Sequence, residues 1–272
     1  MVNDRIACFL TCGYTEAGAM QQFLKKVNGK FEYKQYLPNK TVKKKGYPKN
    51  IGNDISGLSG EKLLKKVYEI LGNHKDEINT CKAVLIEDDL DGRFHNISEQ
   101  DICKYKLEII KRVRDILENQ KMKVFLLFAS PEVEAWFVAD WEHSFKMIYE
   151  SNAIGDLKYS ERQYFTYQLK QYIDREILGE YAEDVEQYGF KEGIYYKLSD
   201  QIIVAIESGV KEHILTNHDN YDYAKKISES KHLYYSKKLH GDRMLKSILP
   251  SVLKERCRQF FWPSYYELAD FK

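Results

Sequence analysis

The sequence predicts an α/β fold, in which an open, mostly parallel sheet carries helices on both faces and the C-terminal half of the chain is mainly helical. Three short segments in the first half are apolar at every position, which is typical of strands that are covered on both faces. Helical patterns alternate with these segments, and such alternation implies right-handed crossovers between parallel strands. After about Trp141 the strand pattern fades and helical spacing dominates.

The elements follow from the spacing of apolar residues. The predicted strands are residues 6–11, 83–87 and 124–129. In the predicted helices, apolar side chains recur at i, i+3, i+4 and i+7, the spacing of one helix face. These helices are residues 17–27, 61–71, 98–118 and 131–139 in the first half, and residues 164–178, 199–207 and 244–257 in the second. The helix over 131–139 is predicted to begin with Ser130 as its cap and Pro131 at its first position.

The chain is predicted to contain two units. Residues 1–145 would form the α/β domain. Residues 146–272 would form a helical annex or a small C-terminal domain packed on it, and the composition does not shift sharply enough between the halves to decide which.

The composition is that of an ordinary globular protein of 272 residues, with 43% hydrophobic and 31% charged residues. The formal net charge is +1, so contact with a polyanion must come from a local patch. Five scattered cysteines without a CxxC pair argue against a disulfide framework and favour a reducing compartment. The N-terminal segment is too polar for a signal peptide, and no apolar run reaches the roughly 18 residues of a membrane span. We therefore expect a cytoplasmic protein without membrane contact, and homo-oligomerisation stays open.

Residues 33–53 stand apart electrostatically, because they contain six lysines and no acidic residue. Prolines and a glycine punctuate this segment, which favours a loop or a hairpin. One interpretation is a solvated insertion. The other is an arm that contacts nucleic acid, in which lysines meet phosphates while Tyr36 and Tyr47 stack on bases.

Acidic residues follow each of the three predicted strands. Glu16 follows the first, the run EDDLD over residues 87–91 ends the second, and Glu132 and Glu134 follow the third. Ligands of an open parallel sheet bind outside the carboxyl ends of its strands, and carboxylates gathered there repel one another unless a cation neutralises them. A hard divalent cation such as Mg²⁺ or Mn²⁺ suits oxygen ligands of this kind. The pattern therefore favours metal-assisted attack on a phosphodiester.

Each acidic position also has a structural explanation. Glu16 and Glu132 would complement a helix dipole at the start of a helix. Glu132 and Glu134 lie about 200° apart around a helix, so at most one of them would point at a site. The acidic run is harder to explain, because a surface turn needs one Asp or Asn rather than three aspartates and a glutamate.

Other reaction types lack their sequence patterns. The seven histidines have no HExxH or HxH spacing, which argues against a zinc site. The chain also has no GxxxxGK[ST] loop, no GxGxxG and no GxSxG.

Four motifs occur in a recognisable order: LTCGYTEAGAMQQFL (10–24), VLIEDDLDGR (84–93), FASPEVEAWFVADW (128–141) and YSKKLHGDRMLKSILP (235–250). In this order they resemble the Toprim fold, the topoisomerase–primase domain that is shared with overcoming-lysogeny-defect nucleases. They are most similar to a bacterial family of uncharacterised Toprim-like proteins. The resemblance implies a Toprim-like or Rossmann-like sheet and a Mg²⁺-dependent site, in which a glutamate after the first strand acts as acid or base and a DxD motif binds metal.

The resemblance also implies roles for particular residues. Asp89 and Asp91 match the DxD motif, with Asp88 adjacent. Glu134 matches a glutamate two residues before a tryptophan, and Glu132 is the second choice. If this assignment holds, Asp89 and Asp91 should lie beside Glu16 and Glu134.

The first motif departs from the family pattern. That pattern has a glutamate directly before the glycine, where this chain has Cys12 before Gly13. Glu16 matches a second acidic position of the motif. Because a cysteine cannot replace a carboxylate as a ligand of a hard metal, either Glu16 reaches the site or the protein binds without reacting.

Three functional hypotheses follow. The first is a Mg²⁺-dependent nuclease, and the resemblance adds a role in bacterial defence or a mobile element and a separately encoded ATPase partner. In this nuclease Glu16 and Glu134 are catalytic, and the metal ligands are Asp88, Asp89, Asp91 and Glu132. The residues that would bind DNA or RNA are Lys40, Lys43, Lys44, Lys45, Lys49, Lys237, Lys238 and Arg243. The second hypothesis is a non-catalytic Toprim-like module that binds nucleic acid or the ATPase, and the third is a phosphohydrolase of small molecules that uses the same carboxylates.

Overall fold

The sheet is parallel throughout the part of the chain that the computed structural model describes, namely residues 4–11, 13, 15–38, 58–93, 99–151, 154–190 and 196–272. Its strands are β1 (Arg5–Phe9), β2 (Glu32–Leu37), β3 (Ala83–Asp89) and β4 (Lys123–Ala129). They lie in the order β2–β1–β3–β4. The predicted α/β fold with a parallel sheet and a mainly helical C-terminal half is confirmed.

The edge strand β2 is the strand that the sequence does not predict. The expectation of a loop or hairpin that begins at Tyr33 is wrong as far as Leu37, because these residues pair with β1. Lys34 and Gln35 of β2 are half-buried and interrupt its apolar residues, whereas β4, which lies at the other edge of the sheet, is apolar and buried from Val124 onward. The lysines predicted to bind nucleic acid in this segment, Lys40, Lys43, Lys44, Lys45 and Lys49, lie outside the described residues.

Helices cover the sheet and make up most of the second half of the chain. Those of the first half are α1 (Glu16–Val27), α2 (Gly60–Asn73), α3 (Lys75–Ile78), α4 (Glu99–Leu117) and α5 (Glu134–Ala139). Those of the second half are α6 (Phe145–Glu150), α7 (Tyr159–Tyr172), α8 (Leu198–Val204), α9 (Lys211–Asn217), α10 (Tyr221–Ser228), α11 (Asp242–Ser247), α12 (Pro250–Arg256) and α13 (Phe261–Ala269). Three π-helical segments, Ile173–Leu178, Ala205–Val210 and Lys237–Gly241, and two 3₁₀ segments, Gly179–Glu183 and Val185–Phe190, join them. In the described part of the chain, no helix is both long and apolar enough to cross a membrane.

Two predicted helices have different bounds in the structure. The helix predicted over residues 131–139 begins only at Glu134, and the Ser130 hydroxyl donates to the carbonyl of Glu186 (2.9 Å) instead of capping a helix. The helix predicted over residues 244–257 is divided into α11 and α12. Pro250 begins α12 because proline lacks the N–H that a helix interior requires, and Leu249 before it is extended.

The strands present alternate residues to two separate cores, because successive side chains of a strand point to opposite faces. Ile6 and Cys8 of β1 belong to one cluster, together with α1 and the C-terminal helices. Ala7 and Phe9 belong to the other, together with α2 and α4. Because α1 and α2 cover opposite faces of the sheet, β2 pairs with one side of β1 and β3 pairs with the other. A crevice therefore opens between the carboxyl ends of β1 and β3, where ligands of doubly wound sheets bind.

The C-terminal half packs on the same face of the sheet as α1. One continuous cluster contains Leu85 of β3, Phe165 of α7 and Phe261 of α13. Within it, Trp136 of α5 stacks on Phe23 of α1, with ring centroids 5.3 Å apart and planes inclined by 19°. Helix α11 also packs along α1, which brings Gly241 and Asp242 of the C-terminal half next to the beginning of α1.

Candidate functional site

The last residues of β3 divide their carboxylates between the two faces of the sheet. Glu87 and Asp89 continue the face of Leu85, which is covered by α1, whereas Asp88 continues the face of Ile86, which is covered by α2 and α4. All three carboxylates are buried, and Asp89 is the most accessible at 8%. The strand therefore delivers two carboxylates, two residues apart, to the crevice beside β1.

Thr11 joins β1 to β3 at this crevice. Its backbone N–H donates to Oε2 of Glu87 (2.9 Å), and its hydroxyl donates to the Glu87 carbonyl (3.4 Å). The N–H of Asp89 in turn donates to the Thr11 hydroxyl (3.3 Å). Oδ1 of Asp89 accepts from the N–H of Val133 (3.0 Å), which links β3 to the segment after β4. These bonds fix the backbone around the two carboxylates.

Glu16 reaches the same crevice from the first turn of α1. The residue is buried (3% exposed), and a β-carbon at Gly13 would overlap its carboxylate, so a larger residue there would require the Glu16 side chain to shift. Oε2 of Glu16 has no hydrogen-bond partner. Burial, together with repulsion from Glu134 and Glu132, raises the pKa of Glu16 from its ordinary 4.5 to about 7.

Glu132 and Glu134, which follow β4, both contact the ammonium of Lys237. Nζ of Lys237 donates to Oε2 of Glu132 (2.7 Å) and forms an ion pair with Oε2 of Glu134 (3.0 Å). The expectation that only one glutamate could point at a site is wrong, because α5 begins at Glu134 and Glu132 precedes it. The second oxygen of Glu132 accepts from the N–H of Ser199 (2.6 Å).

Glu134 is further held by Tyr235, whose hydroxyl donates to Oε1 (2.7 Å). Burial, followed by repulsion from Glu132, raises the pKa of Glu134 to about 7. Burial alone would lower the pKa of Lys237, but the carboxylates of Glu134, Glu132 and Asp89 raise it above its ordinary value. Lys237 is therefore an ammonium ion at neutral pH.

Glu87 and Asp89 have the most strongly perturbed carboxyls of the cluster. Burial, followed by repulsion from Glu16, raises the pKa of both well above the ordinary value. Oε1 of Glu87 has no hydrogen-bond partner. A buried carboxylate oxygen without a partner is destabilising unless a proton or a cation neutralises it. We call the residues Glu16, Glu87, Asp89, Glu132 and Glu134 the carboxylate cluster.

Two predicted metal ligands lie outside the carboxylate cluster. Asp88 accepts from the N–H of Gly60 (2.9 Å) and from Nη2 of Arg93 (2.7 Å) on the opposite face of the sheet. Asp91, whose φ of 48° places it in a left-handed turn, accepts from the Ser59 hydroxyl (3.3 Å) and lies 3.4 Å from Nζ of Lys197. Of the DxD pair, the structure thus brings only Asp89 beside Glu16.

The residues of the C-terminal motif that are predicted to bind nucleic acid also lie in different surroundings. Lys237 points into the carboxylate cluster, whereas Lys238 and Arg243 are exposed. Sequence patterns identify Glu87 only as part of the acidic run and do not single out Tyr235. Glu87 could have been found from the two-residue period of β3, but no sequence signal connects Tyr235 to Glu134, 101 residues away.

The carboxylate cluster offers oxygen donors only, which are the ligands that Mg²⁺ and Mn²⁺ prefer. The partnerless oxygens of Glu16 and Glu87 fit a cation in chemical type and in charge. As the side chains stand, however, the described residues include no group of three or more His, Cys, Asp or Glu in an arrangement that could hold a metal ion. Glu132 and Glu134 contact the Lys237 ammonium instead, so binding of a divalent cation requires side-chain movement.

Comparison with known proteins adds no assignment. No protein-family model matches the chain, and neither a curated protein nor a solved structure matches it. The resemblance to the Toprim family therefore stays a prediction from the motifs.

Proposed function

We propose that the chain is a Toprim-like nuclease that hydrolyses phosphodiester bonds of DNA or RNA with the aid of Mg²⁺ or Mn²⁺. The observation that supports this most directly is the carboxylate cluster itself, in which three segments of the chain bury five acidic side chains at the carboxyl end of a parallel sheet. Folding such groups together without a ligand is unfavourable, so their presence indicates a bound cation or an acid–base role.

Each residue of the carboxylate cluster has a distinct role in this proposal. Glu16, Glu87 and Asp89 would hold the cation, because they repel one another across the crevice and two of them have partnerless oxygens. When bound, the cation would lower the pKa of a coordinated water and offset the negative charge that develops on the phosphate. Glu134 would transfer the proton, because a pKa of about 7 makes both of its protonation states accessible near neutral pH.

Nucleic acid would approach along the C-terminal motif. The exposed Lys238 and Arg243 follow Lys237, whose side chain enters the carboxylate cluster, so phosphates bound by these two residues would lie near the carboxylates. The lysines of residues 40–49 would extend this contact. A separately encoded ATPase, a role in bacterial defence and a cytoplasmic location follow from the motif resemblance and from the composition.

Cleavage assays test the proposal. Labelled single- and double-stranded DNA and RNA are incubated with the protein and Mg²⁺ or Mn²⁺, with EDTA as the blank. Asp89→Asn should lower the cleavage rate at least about 100-fold. Asp91→Asn is the matched control, because the same chemical change is made outside the carboxylate cluster, and it should retain cleavage within a few-fold. Cleavage that survives Asp89→Asn, or that needs no divalent cation, would show that the proposal is wrong.

A second candidate function is a non-catalytic module that binds nucleic acid or an ATPase. Two observations favour it: Cys12 replaces the glutamate that the Toprim pattern has before its glycine, and Lys237 already neutralises part of the carboxylate cluster. This candidate predicts binding without cleavage under any metal condition. A steep loss of binding with added salt would indicate phosphate contacts, and a flat salt dependence would indicate a protein partner.

A further inference from the structure

Lys237 is a built-in positive charge within a site that otherwise consists of carboxylates. Its ammonium lies 2.7 Å from Oε2 of Glu132 and 3.0 Å from Oε2 of Glu134, and both glutamates are at most 1% exposed. The lysine side chain itself is 38% exposed. Part of the lysine side chain is therefore in contact with solvent, whereas the two carboxylates are buried.

The backbone on both sides of Lys237 is fixed. On one side, the buried Tyr235 is bonded through its hydroxyl to Glu134. On the other, Gly241 packs so closely against the Thr15 hydroxyl that a β-carbon there would overlap it, and α11 then runs along α1. The four methylene groups of the lysine side chain allow its ammonium to swing without a change of backbone.

The ammonium and a divalent cation would compete for the same negative charge. The positive charge of Lys237 attracts the carboxylates of Asp89 and Glu16, as well as those of the two glutamates that it contacts. Two cations within a few ångströms of each other repel strongly in a site with little water. A divalent cation bound by Glu16, Glu87 and Asp89 would therefore weaken the electrostatic attraction between the carboxylate cluster and the Lys237 ammonium.

We propose that Lys237 is an internal counter-ion that occupies the carboxylate cluster in the cation-free protein and is expelled toward solvent when a divalent cation binds. The inference rests on the proposed function, because it takes the cation of that function as the competitor. It adds a means of regulation to that function. Without metal, Lys237 stabilises the close arrangement of the carboxylates, and by competing with the cation it sets the cation concentration that binding requires.

Chemical labelling of the unaltered protein tests the expulsion. The protein is treated with an amine-acylating reagent with and without Mn²⁺, and the acylation of each lysine is measured by mass spectrometry. Acylation of Lys237 should rise several-fold with Mn²⁺, while that of the exposed neighbour Lys238 should stay constant. Saturating Mn²⁺ that leaves the acylation of Lys237 unchanged would overturn the inference.

Mn²⁺ binding measured by calorimetry gives a second, independent test. Lys237→Met keeps the length of the side chain and removes its charge, so it should bind Mn²⁺ at least tenfold more tightly than the wild type. Lys238→Met is the control and should bind as the wild type does. Equal or weaker binding by Lys237→Met would overturn the inference, and where that variant does not fold, the labelling result decides alone.

The two proposals fail in different ways. If the wild type binds Mn²⁺ and cleaves nucleic acid but Lys237 is neither released nor inhibitory, the counter-ion inference is wrong and the nuclease stands. If Mn²⁺ binds to the wild type and releases Lys237 but no nucleic acid is cleaved, the counter-ion inference is supported and the nuclease is refuted. If neither protein binds Mn²⁺, both are refuted.

Discussion

Replacing Glu16 by glutamine should remove a large pH dependence of stability. Burial, with repulsion from Glu134 and Glu132, raises the pKa of Glu16 from 4.5 to about 7 in the folded protein. A carboxyl of this kind holds its proton more tightly when folded. Its contribution to the free energy of unfolding is thus fully present below about pH 4.5 and is lost as the pH rises through about 7. Since one pKa unit corresponds to about 1.36 kcal/mol, Glu16 alone should cost the wild type about 3 kcal/mol over this interval.

The measurement is urea unfolding followed by tryptophan fluorescence, with EDTA present, at several values between about pH 5 and pH 8. Glu16→Gln stays neutral throughout and also removes the repulsion that acts on Glu134. Its free energy of unfolding should therefore fall much less than that of the wild type as the pH rises. Glu142→Gln is the control, because Glu142 is exposed and forms a surface pair with Lys146, and its curve should run parallel to the wild type. If Glu16→Gln also runs parallel, the electrostatic account of the carboxylate cluster is wrong.

Three other measurements test individual contacts. Mg²⁺ should raise the melting temperature more at pH 8 than at pH 5, because it competes with protons for Glu87 and Asp89. Burial raises the pKa of both carboxyls, so protons compete more strongly at the lower pH. Equal increases in melting temperature at the two pH values would contradict this. In urea titrations Asp88→Asn should lower the free energy of unfolding by about 2 kcal/mol, because it removes the counter-ion of Arg93, and an unchanged midpoint would argue against that role. Gly241→Ala should cost about 1–3 kcal/mol through overlap with Thr15, whereas its control Gly72→Ala, which has open space in α2, should be neutral or stabilising.

The sequence predicts the covered strands well because burial on both faces leaves a direct signature. β1, β3 and β4 each contain a continuous apolar run, and no polar constraint interrupts it. β2 fails the same test because Lys34 and Gln35, which are half-buried, interrupt its apolar residues, so its pattern is not distinguishable from that of a loop. The start of α5 is misplaced because long-range contacts override a local signal. Ser130 and Pro131 fit a helix opening, but the Ser130 hydroxyl donates to the carbonyl of Glu186 and the N–H of Val133 donates to Asp89.

The candidate site is predictable only where its residues lie at or just after the ends of the predicted parallel strands. Parallel strands and their crossovers bring Glu16, Asp89 and Glu134 to one edge by topology alone, and all three are predicted from the sequence. Lys237 and Tyr235 arrive from the C-terminal half through helix packing, which single-sequence spacing does not encode.

The disagreement over the DxD motif has a geometric origin. Two residues share a face of a strand only as long as the strand stays extended, and β3 ends at Asp89. Beyond it, the left-handed φ of Asp91 turns the chain toward Ser59 and Lys197, so the partner of Asp89 on the crevice face is the residue two positions before it, Glu87, rather than the one two positions after. Glu87 is also the residue that Thr11 ties to β1. The pair that the fold presents to the crevice is therefore Glu87 and Asp89, held by the hydrogen bonds that join the two central strands.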